Sequence, residues 1–105
     1  MVDHLVLFRF RTEVSQQQIT LLFKELRGLA SVIDGICDFR GGAYSSPEGL
    51  NQGFSHGFVM TFQSAAARDA YLPHPAHQQV VEKILPMLED GVNGVVAFDL
   101  IDGEL

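Results

Sequence analysis

Tyr71 and His77 bound the short segment Tyr71-Leu-Pro-His-Pro-Ala-His77, and they are residue types that give and take protons in enzyme sites. His77 falls in the first turn of a helix opening at Pro75, where the positive end of the helix dipole disfavours the imidazolium. The neutral imidazole that results is a usable base. It could remove a proton next to a carbonyl, while Tyr71 donates a hydrogen bond to the enolate oxygen that forms. Asp99, on the same face of the last strand as Val95 and Ala97, could orient either His77 or His4. His74 precedes a proline and reads as a turn or capping residue. The His74 and His77 spacing has no cysteine or carboxylate cluster beside it, and catalytic zinc takes three protein ligands. No metal and no cofactor is expected.

The remaining polar residues have plainer readings. His4 and His56 lie in apolar stripes, where a histidine is commonly a core residue satisfied by backbone or water. Phe8, Phe10, Phe58, Met60 and Phe62 could line a ligand cavity, although core packing explains them with fewer assumptions. Gly41-Gly42 lacks the strand, loop and helix context of a phosphate cradle and is read as a bulge or turn. No serine or cysteine sits in a recognisable nucleophile elbow. The single cysteine, Cys37, cannot form an internal bridge, reads as a small buried residue and fits a reducing compartment.

These residues are carried by a chain of 105 residues with a net charge of -6 and 47% hydrophobic residues. That length suits one domain, residues 1–105, and the apolar balance excludes disorder. An acidic chain lacks the basic stripe that nucleic acid requires and is repelled by anionic lipid, so neither partner is expected. The N-terminal segment interrupts its apolar run with Asp3, His4 and Arg9, unlike a signal peptide or membrane span, and the expected location is the cytoplasm.

Residues Val2 to Phe10 are apolar in both alternate sets and predict a strand covered on both faces. Ser15 and Gln18 have capping-box form, and Ile19, Leu22, Phe23, Leu26, Ala30 and Ile33 recur at helical spacing, predicting a helix from Gln16 to Ile33. Gly35 stops it, and a second strand starts near Ile36. After a polar loop, Ser45 to Gly53, strict alternation from Phe54 to Phe62 predicts a third strand. Ser64 caps a short helix through Tyr71, and Pro75 opens another, which Pro86 loosens near its end. A last strand runs from Val95 to Ile101.

The order β, α, β, β, α, β, with the second helix broken in two, is the ferredoxin-like α+β plan, a four-stranded antiparallel sheet with helices on one face. Leu5, Leu7, Val59, Val96, Phe98 and Leu100 then form an apolar face that the helices cannot reach, larger than soluble monomers expose. A homodimer that packs two sheets face to face into a barrel would cover it.

His4-Leu-Val-Leu-Phe-Arg-Phe10, Glu48-Gly, Phe54-Ser-His56, Thr61-Phe62, Asp69-Ala-Tyr71-Leu-Pro-His-Pro-Ala-His77 and Phe98-Asp99 together resemble the stress-responsive dimeric α/β barrel family over nearly the whole chain. The resemblance implies that barrel and a protein of undefined biochemical role that binds a small apolar molecule between sheet and helices. A plant polyketide cyclase within the family implies an alternative, a cofactor-independent lyase, cyclase or isomerase acting on a small carbonyl compound. It places the acid/base histidine at His77, the tyrosine at Tyr71, other pocket histidines at His4 and His56, and an acidic residue at Asp99. Leu26 stands where that cyclase has a pocket tyrosine, and no tryptophan is present. The candidate set is therefore His77, Tyr71 and Asp99 for catalysis, and His4, His56, Phe8, Phe58 and Leu26 for ligand binding.

Overall fold

Alternation sets the first strand, β1 (Val2–Phe8), whose Val2, His4, Val6 and Phe8 turn inward while Leu7 is exposed on the opposite face. The computed structural model describes residues 1–105. Helix α1 (Gln16–Gly28) is nucleated as the sequence predicts: the Ser15 hydroxyl accepts from the Gln18 amide at 3.1 Å, and the Gln18 side chain accepts from the Ser15 amide at 2.8 Å. Ile19, Leu22 and Leu26 form its buried stripe. The helix is shorter than its apolar spacing implies. Gly28, a poor interior helix residue, ends it, and Leu29–Ser31 tightens into a 3-10 turn that still delivers Leu29 and Ile33 to the core.

Gly35 has φ +92°, and a Cβ there would lie 2.6 Å from the Ala67 Cβ. No other residue type suits both the conformation and the space. Strand β2 (Ile36–Ala43) follows on the sheet edge, with a register irregularity between Ile36 and Asp38. Cys37 sits in that irregularity and is exposed, contrary to its expected burial, because the bulge takes it out of the inward alternation. The bulge is here and not at Gly41-Gly42, which continue the strand; a Cβ on Gly41 would meet the Phe23 ring at 2.7 Å.

Strand β3 (His56–Phe62) starts later than the alternation predicts, since the Phe54 amide is used in a turn to the Asn51 carbonyl. Helix α2 (Ala65–Tyr71) begins at Ser64, whose hydroxyl accepts from the Ala67 amide. Helix α3 (Pro75–Ile84) begins at His74, whose Nδ1 accepts from the Ala76 amide at 3.1 Å. Pro86 lies in a 3-10 turn, Leu85–Met87, that ends this helix, and the last strand is β4 (Val95–Leu100).

The sheet order is β2-β3-β1-β4, with every neighbouring pair antiparallel. The core lies between one sheet face and the helices, where Val6, Phe8, Phe58, Met60 and Phe62 meet Leu22, Leu26, Tyr71, Val80 and Ile84. The other face carries Leu5, Leu7, Val59, Val96, Phe98 and Leu100 with no helix over it, and Phe98 remains 60% exposed. No helix is long and apolar enough to cross a membrane.

Candidate functional site

The antiparallel register sets His4 of β1 directly beside Asp99 of β4. Their side chains meet on the helix face of the sheet, with His4 Nδ1 2.5 Å from Asp99 Oδ1. Asp99 therefore orients His4, of the two histidines it could serve. Its second oxygen accepts from Arg68 Nη1 at 2.7 Å, and Arg68 Nε donates to Asp69 at 2.8 Å. Burial alone would raise the Asp99 carboxyl, but the hydrogen bonds from His4 and Arg68 outweigh it and hold the group below the usual carboxylate range.

His4 is 6% exposed. Its ring meets Phe58, Phe62 and Tyr71 edge-on, with centroids 6.0, 6.1 and 6.0 Å away. Tyr71 closes the last turn of α2 and is 1% exposed. Its ring lies 4.9 Å from Phe62 and 4.2 Å from the His77 ring, the latter tilted by 38°. Burial pushes its phenol well above the ordinary range, so it stays protonated as a donor.

His77 is fixed by the turn between α2 and α3: its Nδ1–H donates to the Leu72 carbonyl at 2.8 Å. That bond leaves Nε2 as the nitrogen with the lone pair. Burial lowers the His77 pKa; the Leu72 bond opposes this, and the nearby His4 and His74 add to it. No protein group hydrogen-bonds to the Tyr71 hydroxyl, His4 Nε2 or His77 Nε2. None of the three is sealed away either, since Arg9 Nε is the one fully buried side-chain polar atom without a partner. The three polar atoms thus sit on rings packed side by side, with Tyr71 between His4 and His77.

The other sequence candidates lie elsewhere. His56 stands at the opposite end of β3 from Phe62, with Nδ1 2.8 Å from the Ser55 hydroxyl and its ring against Phe10 and Phe23. Burial lowers its pKa as well. It lines a hollow of about 290 Å³ with Phe23, Phe39 and Gly41 beside α1. Phe8 and Leu26 are core side chains, and Phe58 joins the core to the His4 ring. A larger hollow of about 630 Å³ lies on the uncovered sheet face, over Leu5, Leu7 and Val59 and under Tyr44 and Leu50. Neither of these two hollows is lined by His4, Tyr71 or His77. The Tyr71 ring packs directly against the His77 ring and edge-on to His4. No group of three histidine, cysteine or acidic side chains is placed to hold a metal. Sequence reasoning missed Arg68; its signal was the position three residues before Tyr71, on the same side of a helix.

The buried histidines make stability depend on pH. His56 and His77 both titrate lower in the folded chain than in the unfolded one. Their contribution is therefore complete above the unfolded value of about 6.5 and is lost as pH falls through the folded values. The midpoint of thermal unfolding should fall by several degrees between about pH 7.5 and about pH 5, at about 4–8 °C for each kcal/mol lost. Thermal denaturation followed by circular dichroism checks this. The variant His56→Gln/His77→Gln should flatten the slope, and an unchanged slope would exclude the two histidines as its source.

Comparison with known proteins agrees with this architecture. The model of the stress responsive A/B barrel domain matches residues 2–102. The stress-response A/B barrel domain-containing protein HS1 of Arabidopsis thaliana is 35% identical over 88 residues, covering 84% of this chain and 81% of the relative. Olivetolic acid cyclase of Cannabis sativa is 29% identical over 76 residues, covering 72% of this chain and 75% of the cyclase. A dimeric ferredoxin-like protein of unknown function from Jannaschia sp. superposes with a TM-score of 0.86 at 31% identity, covering 95% of this chain and 97% of that one. With its βαββαβ sheet, its one-sided helices and a match across nearly its full length, the chain belongs to the stress-responsive A/B barrel domain family.

Proposed function

We propose that this protein is a cytoplasmic homodimer in which each subunit binds a small, largely apolar molecule bearing a carbonyl or hydroxyl group beside His4, Tyr71 and His77. The observation that carries the reading is the packing of the Tyr71 ring between His4 and His77, beside Phe58 and Phe62, with the Tyr71 hydroxyl and both Nε2 atoms free of protein hydrogen bonds. A ligand oxygen offers those atoms what the protein does not, and a hydrocarbon body suits the aromatic wall. The site has no free cation: Arg68 is engaged by Asp69 and Asp99. A neutral ligand fits better than an anionic one. Binding requires the Tyr71 and His77 rings to part, because they fill the space between them in the empty chain. The homodimer is supported by the uncovered apolar face and by the dimeric Jannaschia neighbour. The cytoplasm suits an exposed, unpaired Cys37.

Acid/base chemistry is a second reading, favoured by one feature: His77 has its Nδ1–H tied to Leu72 and its pKa lowered, so Nε2 is a neutral base near pH 7. It would take a proton from the carbon next to the ligand carbonyl while the Tyr71 hydroxyl stabilises the enolate. The likeness to olivetolic acid cyclase supports that role.

Heptanal, benzaldehyde and resorcinol serve as test compounds. At least one should raise the thermal midpoint of the wild type and leave Tyr71→Phe and His77→Ala with a shift less than half as large. Equal shifts in all three proteins would rule out this site.

A further inference from the structure

Arg68 has specific surroundings. It rises from α2 three residues before Tyr71, and its guanidinium spans two carboxylates, Asp69 on its own helix and Asp99 on β4. Asp99 in turn holds His4. The side chains of Arg68 and Asp99 are each about three-quarters buried, and His4 is almost wholly so. This is a continuous line of four groups from the edge of the domain to the aromatic wall of the proposed site. It is also the one ion pair that joins α2 to the sheet.

We propose that Arg68 is a positioning residue that, by binding the outer oxygen of Asp99, holds this carboxylate in one orientation and so fixes the His4 ring with Nδ1 on Asp99 and Nε2 left for a ligand. The inference deepens the reading of His4 as a ligand-facing group, and rests on it for its functional meaning. A carboxylate shielded from water by β1, β4 and α2 would tend to take up a proton, and the guanidinium offsets that tendency through a charge-assisted hydrogen bond. A carboxylate with one oxygen on Arg68 has the other free only for His4, so the imidazole cannot flip its tautomer without losing a hydrogen bond. An orienting group of this kind keeps a nitrogen available to a ligand without touching the ligand itself.

The charged and titratable groups that face this line are few. Asp99 is met by His4 from β1 and by Arg68 from α2, with Asp69 sharing the guanidinium. Glu104, after β4, lines the same hollow of about 340 Å³ as Arg68 and Asp99. From α3, His77 is near enough for its charge and that of His4 to affect each other.

Ring-nitrogen NMR of the histidines and carboxyl NMR of Asp99, followed against pH in the ligand-free protein, test the proposal. The wild type should show one His4 tautomer, with the proton shared with Asp99 on Nδ1. In Arg68→Gln the Asp99 midpoint should rise by about one pH unit or more, and the His4 nitrogens should move towards an average of the two tautomers. Arg68→Lys keeps the charge without the fork, and its Asp99 midpoint should lie between the other two. An Arg68→Gln protein with the wild-type His4 tautomer and Asp99 midpoint overturns the proposal. Should Arg68→Gln lose the native amide spectrum, Arg68→Lys decides alone, and wild-type values in it overturn the proposal equally. None of these measurements needs a ligand. Failure of the ligand-binding reading, seen as unchanged thermal shifts in Tyr71→Phe and His77→Ala, is therefore separate from failure of this one.

Discussion

Phe98→Asp should convert the proposed dimer into a folded monomer. Phe98 projects from β4 on the face that no helix covers and is 60% exposed in the single chain, beside Leu7 at 42%. Cross-strand pairing puts Leu5 between Phe98 and Val59, and Leu7 next to Val96, so one apolar surface runs across β3, β1 and β4. Burying a large apolar side chain is worth about 1.5–3 kcal/mol. A two-fold interface counts each substitution twice, so the loss is about 3–6 kcal/mol before any cost of desolvating two carboxylates. The dimer dissociation constant should therefore rise by at least about a hundredfold. Sedimentation velocity at micromolar concentration is the measurement. Phe98 contributes nothing to the buried cluster on the opposite face, so far-ultraviolet circular dichroism should stay native. A wild-type protein that sediments as one subunit, or a Phe98→Asp protein that still sediments as two, would remove the barrel from this account.

The fold was legible because its signals are local and repeated. Alternation in β1 and β3, the capping box at Ser15 and the Pro75 helix start each reappear in the structure. What failed was local too. The apolar spacing through Ala30 and Ile33 fits an α-helix and a 3-10 turn alike, because both turn those residues to the same core. Alternation also cannot reveal a bulge, and the bulge between Ile36 and Asp38 is what exposes Cys37. The spatial grouping of the candidate side chains was legible only in part. His4, Tyr71, His77 and Asp99 come together, but whether Asp99 serves His4 or His77 depends on strand register, which joins residues 95 positions apart. His56 shares the inward face of β3 with Phe62 yet stands at the other end of the strand, where sequence spacing carries no sign of its distance from Tyr71. Arg68 had only its spacing from Tyr71 as a signal, because a partly buried arginine is recognised by its partner, and the partner is on β4.

Tyr71 separates the structural from the chemical content of the site, and two substitutions at that position should differ widely. Its ring is 1% exposed and packed against Phe62, His77 and His4. Truncation in Tyr71→Ala leaves a cavity at the joint of α2, α3 and the sheet, at a cost of about 3–5 kcal/mol for a buried aromatic residue. Against a total stability of about 5–15 kcal/mol for a domain, that brings the chain close to unfolding. Chemical denaturation should show the loss as a lower midpoint with little change in slope. Tyr71→Phe keeps every ring contact and removes only a hydroxyl that has no protein partner, so its stability should stay within about 1 kcal/mol of wild type. A Tyr71→Phe protein destabilised as much as Tyr71→Ala would mean that the hydroxyl is held by the fold, and the polar convergence on which the ligand reading stands would then be structural. If Tyr71→Phe is stable but has lost the ligand-induced thermal shift, the hydroxyl is there for the ligand, because the packing of the core is the same with and without it.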